Sequence, residues 1–135
     1  MSAPISLPLP DDATALSVTC VVRDELAVVS VTGELDADTG PVLYVHLANQ
    51  LDHGRRHLVV DLSGVPFMDS SGLNVIIRAM RQTKLANGSL SLAAPTPTVS
   101  QLFRLTGISL TQPVHPEVAS AVAALDLEPL TPGVS

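Results

Sequence analysis

Leu58-Val59-Val60-Asp61-Leu62 is an apolar run of strand length, and it leads through a tight connection into Asp69-Ser70-Ser71-Gly72, a cluster of helix-opening residues. Beyond that cluster Leu73, Ile76, Ile77 and Met80 recur at the helical period, with Asn74, Arg78 and Arg81 on the opposite face. A buried strand running straight into an amphipathic helix has two apolar surfaces to cover, and a sheet with helices packed on it covers both. The same junction sets a serine hydroxyl at a helix N-terminus. Unsatisfied N–H groups and the positive end of the macrodipole favour an added anion there by roughly 0.3 to 1 kcal/mol when exposed.

The rest of the chain repeats the alternation. Leu16 to Val22 and Glu25 to Thr32 read as two strands joined by a tight turn at Arg23-Asp24. Asp38 or Thr39 before Gly40-Pro41 opens a helix with Leu43, Leu47 and Leu51 as its apolar stripe, ended by Gly54. Asn87-Gly88 stops the helix that follows Asp69, and Leu90, Leu92 and Ala94 alternate as a further strand. Thr96-Pro97 caps a helix carrying Val99, Leu102 and Phe103, closed by Gly107. Leu110 to Val114 is expected as a short edge strand because Pro113 interrupts it, and Pro116 opens a last helix with Val118, Val122 and Leu125 on one side. The chain is thus expected to be α/β: one domain at 13–126 with a mixed sheet of about four to five strands, and flexible proline-rich tails at 1–12 and 127–135.

Composition narrows the function. A chain of 135 residues with 46% hydrophobic and 15% charged residues is one folded domain. No apolar run approaches the roughly 18 to 20 residues that span a bilayer, and the start lacks the basic-then-apolar order of a signal peptide. A cytoplasmic location is expected, without membrane insertion. A net charge of −6 opposes binding to phosphate backbones, and Tyr44, Phe67 and Phe103 are too scattered for base stacking, so direct nucleic-acid binding is not expected. The single cysteine, Cys20, sits among Leu16, Val18 and Val22 as a small core residue.

Asp69, Ser70 and Ser71 have two readings. Aspartate and serine are favoured N-caps, worth about 1 kcal/mol, and Gly72 beside them permits close packing. A cap also leaves the neighbouring hydroxyl exposed, so capping and a functional role are compatible.

Phe67-Met68-Asp69-Ser70-Ser71-Gly72-Leu73, with Val31-Thr32-Gly33-Glu34-Leu35-Asp36 upstream and Leu102-Phe103-Arg104-Leu105-Thr106-Gly107-Ile108 downstream, resembles the STAS family and, within it, the bacterial anti-sigma-factor antagonists. The motifs stand in the family's order between about Ser17 and Leu125. The resemblance implies a sheet with its helices mainly on one face. It implies a protein whose unphosphorylated form binds an anti-sigma factor that is also a serine kinase, releasing a sigma factor. It makes Ser70 the phosphorylation site, with Ser71 as fallback, and a phosphatase the enzyme that resets it. Asp36 matches an acidic position beside the acceptor, its alternative being a turn or helix-entry residue. Asp69, Gly72 and Val75 complete the candidate partner-binding set, with core edge as the alternative for Val75 and for its neighbour Ala79. Phe103 and Thr106-Gly107 are assigned to packing and helix termination.

An enzyme is not expected. Ser70 does not lie in a Gly-x-Ser-x-Gly elbow. His46, His53, His57 and His115 have no zinc-site spacing, so no metal and no cofactor are anticipated. The competing reading is a non-enzymatic STAS scaffold or partner subunit, of a stress-sensing complex or of a lipid-transport ABC system.

Overall fold

The computed structural model describes residues 16–125, which fall within the expected domain; the expected tails at 1–12 and 127–135 lie outside the described residues. Strands β1 (Ser17–Arg23) and β2 (Leu26–Thr32) form the hairpin, and helix α1 (Gly40–Asp52) leads to β3 (His57–Gly64). Helix α2 (Ser70–Leu85), β4 (Ser89–Ala93), α3 (Pro97–Thr106), a 3-10 turn (Ile108–Leu110), β5 (Val114–His115) and α4 (Val118–Leu125) follow.

The five strands lie in the order β1-β2-β3-β4-β5, antiparallel between β1 and β2 and parallel thereafter. Successive parallel neighbours in one direction across a sheet, joined by right-handed crossovers, put every crossover helix on the same face. The core obeys this rule. Leu58, Val60 and Leu62 of β3 join Ala27, Val29 and Val31 of β2 and Leu90 and Leu92 of β4 in one cluster with residues of α1, α2 and α3. The intervening Leu26, Val59 and Ala93 face the other way and meet Ala121, Val118, Val122 and Leu125 of α4. The helices are therefore mainly on one face, with the last one closing the reverse.

Local chemistry accounts for the boundaries. Asp24, in left-handed conformation with φ 54°, makes the hairpin turn. Asn87 at φ 62° and Gly107 at φ 78° end α2 and α3, as their residue types allow. Thr96 Oγ1 accepts from Val99 N–H and donates to Val65 C=O at 2.9 Å, which ties the start of α3 to the end of β3. Phe103, 1% exposed, fills the centre of the core as anticipated.

Two expectations are corrected. Leu110 is not in a strand; it belongs to the 3-10 turn and is 88% exposed, because the αL turn at Gly107 redirects the chain and β5 begins only after Pro113. The buried face of α2 is also wider than the stripe Leu73, Ile76, Ile77 and Met80. Val75, Ala79 and Thr83 are buried, while Ile77 and Met80 lie at its margin. Thr83 tolerates burial because its hydroxyl donates to the Ala79 and Met80 carbonyls.

Candidate functional site

The site is built where two loops meet at the C-terminal rim of the sheet. After β2 the chain runs through Gly33-Glu34-Leu35-Asp36, and after β3 through Val65-Pro66-Phe67-Met68-Asp69. Gly33 N–H donates to Gly64 C=O at 2.9 Å, Leu35 N–H to Phe67 C=O at 3.0 Å, and Asp69 N–H to Leu35 C=O at 3.2 Å. A parallel bridge between Leu35 and Met68 extends the β2–β3 pairing into the loops. Leu35 and Met68 point into the core, 0% and 3% exposed, so the loops are held by both their backbones and their side chains.

At the head of α2, Asp69 has extended backbone, φ −106° and ψ −173°, and acts as the N-cap. Its Oδ1 accepts from Ser71 N–H at 2.9 Å and from Gly72 N–H at 3.1 Å, while its carbonyl accepts Leu73 N–H at 3.0 Å. Ser70, the first helical residue, is exposed; Ser71 is half-buried. Asp69 thus uses the second and third amides of the turn and leaves the Ser70 hydroxyl facing solvent at the positive helix end. Gly72 is buried against the neighbouring loop: a Cβ there would stand 2.5 Å from the Leu35 carbonyl oxygen. Glycine here is what lets the helix start lie against Leu35.

Asp36 follows Leu35 and is locked in an Asx turn. Its Oδ1 accepts from Asp38 N–H at 3.0 Å, Thr39 N–H at 3.1 Å and the Thr39 hydroxyl at 3.1 Å. The Thr39 hydroxyl also lies 2.8 Å from Glu34 C=O and 3.0 Å from Asp36 N–H. The Thr39 amide, ahead of a smaller opposing effect of burial, holds the Asp36 carboxyl below the ordinary carboxylate range. All of these bonds fall on Oδ1, and among the described residues none reaches Oδ2. Asp36 is therefore the turn residue of its alternative reading and an anion with one oxygen to spare.

The structure gathers Asp36, Asp69, Ser70 and Ser71 at one rim. Gly72 supports them from below. Val75, 5% exposed, and Ala79, 2% exposed, take the core-edge alternative: Val75 packs into the α1–α2 seam, where its Cγ2 would meet a Cβ on Gly40 at 2.8 Å. As a buried side chain, Val75 does not supply the surface contact that made it a candidate. Two features escape sequence reasoning. Phe67, which the sequence left without a structural role, is 44% exposed beside the cap, while its neighbour Met68 is buried. Thr39 clamps Asp36, and the signal was the Asp-x-x-Thr spacing just before Gly40-Pro41.

Among the described residues no group of His, Cys, Asp or Glu side chains could hold a metal ion. No described helix is long and apolar enough to cross a membrane. His46 and His53 each place Nδ1 near a carbonyl one turn back, Val42 at 2.9 Å and Asn49 at 2.7 Å, and the His57 ring meets the Ser89 hydroxyl at 2.9 Å. These are local contacts within α1, at its C-terminal end and across β3–β4.

A STAS domain family profile matches residues 17–121. The chain is 29% identical over 93 residues to an anti-sigma-B factor antagonist of Staphylococcus aureus, spanning 69% of this chain and 86% of that protein. A crystal structure of an anti-sigma factor antagonist from Mycobacterium paratuberculosis superposes with a TM-score of 0.74 at 29% identity, covering 92% of this chain and 97% of the other. The antagonist SpoIIAA in its unphosphorylated form gives a TM-score of 0.70 at 22% identity, covering 81% and 96% of the two chains. The Bacillus SpoIIAA in phosphorylated form gives 0.65 at 21%, covering 81% and 99%. At those last two identities the likeness is one of fold.

Proposed function

The chain belongs to the STAS domain family, and from that premise we propose that it is an anti-sigma-factor antagonist switched by phosphorylation at Ser70. The unphosphorylated protein binds an anti-sigma factor that is itself a serine kinase, and the sigma factor held by that partner is released. The kinase moves the γ-phosphoryl group of ATP onto Ser70 Oγ, the bond from the γ-phosphorus to the β–γ bridging oxygen breaks to release ADP, and the hydroxyl proton passes to a base on the kinase. A phosphatase restores the hydroxyl. The chain is a substrate and a binding partner, not an enzyme, and works in the cytoplasm.

The observation that carries this reading is the exposed Ser70 hydroxyl at the first position of α2, beside the Asp69 cap. A kinase must bring a nucleotide and its own catalytic groups to the acceptor, and an exposed first-turn serine on a rigid helix end permits that approach. Phosphate adds about −1.5 to −2 charges. Within the chain this charge meets the positive end of α2 and is tolerated. Across an interface it meets the nucleotide phosphates and acidic groups of a kinase, where like-charge juxtaposition costs several kcal/mol. The switch acts on association, not on the fold. The relatives named as anti-sigma-factor antagonists support the same reading.

Incubation with candidate serine kinases and ATP, read by intact mass, tests it. One added phosphate, lost in Ser70→Ala and retained in Ser71→Ala, is the expected result. Phosphate that persists in Ser70→Ala, or copurification of the chain with an ATPase and a permease, would replace it with the fallback site or the transport role.

A further inference from the structure

The loop that leads to Ser70 holds an apolar side chain with no inward use. Phe67 is the one exposed aromatic residue among the described residues; Phe103 is core and Tyr44 is half-buried. Its backbone is fixed. The Phe67 carbonyl accepts the Leu35 amide at 3.0 Å, and Met68, next in the chain, takes the inward place at the bridge to Leu35. A ring presented from an anchored backbone costs a partner little ordering when it is covered.

Its distance from Ser70 decides what covers it. The two residues are three apart in the chain, so their Cα atoms lie within about 11 Å of one another. A stable partner covers about 800 Å² of each protein, a patch roughly 16 Å in radius. An enzyme that acts on Ser70 Oγ centres its patch there, and Phe67 falls inside it. Other exposed apolar side chains lie farther off: Leu85 ends the sixteen-residue α2, about 22 Å along its axis from Ser70, and Leu110 follows the far end of α3.

We propose that Phe67 is the apolar anchor by which the kinase that acts on Ser70 grips this rim, its ring seated in an apolar cleft of that kinase beside the catalytic groups. The inference rests on the reading of Ser70 as acceptor and adds the chemistry its partner presents. Aromatic side chains buried in such clefts carry much of an interface's binding energy. A phenyl ring has no group that takes part in phosphoryl transfer, so its contribution is to binding alone and falls on KM, not on kcat.

Steady-state phosphorylation of the full chain by the candidate kinase that modifies Ser70 in the intact-mass assay tests this. Phe67→Ala is expected to raise KM for the chain about 30-fold, with kcat within twofold of wild type. Phe67→Leu, which keeps an apolar side chain, recovers most of the loss, and Leu110→Ala changes neither constant. The urea midpoint of Phe67→Ala stays near wild type, because the side chain is exposed. Wild-type phosphorylation at Ser70 with an unchanged KM in Phe67→Ala would overturn the anchor and leave the acceptor standing. A fall in kcat alone, or a loss of the same size in Leu110→Ala, would overturn it equally. A chain that no candidate kinase modifies at Ser70 would overturn the acceptor and the anchor together.

Discussion

The Leu35 carbonyl oxygen accepts the Asp69 amide at 3.2 Å and also stands where a side chain on Gly72 would begin, 2.5 Å from an ideal Cβ. One atom of the β2–α1 loop thus both anchors the cap of α2 and sets how near the helix can come. The geometry around Ser70 follows from this contact.

Gly72→Ala is expected to destabilise the fold by about 1 to 3 kcal/mol, because the clash is with backbone that cannot rotate away. Urea unfolding measures it. The substitution is also expected to push the Asp36 loop from the head of α2, so that the proposed phosphorylation of Ser70 slows in step.

Asp69→Ala removes the acceptor of the Ser71 and Gly72 amides and should cost about 1 kcal/mol, whereas Asp69→Asn keeps an oxygen in place and should cost little. Comparing the two separates capping from charge. If Asp69→Asn leaves stability near wild type while changing affinity for the anti-sigma factor, the carboxylate contributes to the interface field.

Asp36 gives a pH dependence of known sign. Its folded carboxyl sits below the ordinary value of 3.8, so the native state binds protons less readily than the unfolded chain. The stability it contributes is complete above 3.8 and is lost as pH falls through the lower folded value. Denaturation midpoints measured down through this window should fall less steeply for Asp36→Asn than for wild type. Identical slopes would mean that the Thr39 clamp contributes nothing.

Phe103→Ala leaves a large void between α3 and the sheet and is expected to cost about 3 to 5 kcal/mol without altering the rim directly. Thermal unfolding checks the first half. Ser70 phosphorylation at a temperature where the variant remains folded checks the second.

Much of this was legible in the chain itself. Alternating strands and helices, Gly107 and Asn87 as stops, Asp69 as a cap and Phe103 as core all rest on local chemistry that acts over a turn or two. What was not legible depended on contacts distant in sequence. Val75 looks like a flank of the α2 stripe until Gly40 of α1 is seen to make room for it. The outward stance of Phe67 follows from the Leu35–Met68 bridge, beside which Met68 is buried and Phe67 is not. The strand expected from Leu110 failed because a β-capable sequence becomes a strand only where a neighbouring strand is in reach, and β4 is met only at Val114.

The central claim is that phosphate on Ser70 acts on association while leaving the fold intact. Isothermal titration of the chain's anti-sigma factor, proposed above to be its kinase, with the unmodified and the Ser70-phosphorylated protein side by side, measures it most directly. The account predicts binding weaker by about 100-fold or more on phosphorylation, which is about 2.7 kcal/mol, with unchanged circular dichroism. Equal affinity of the two forms would contradict it.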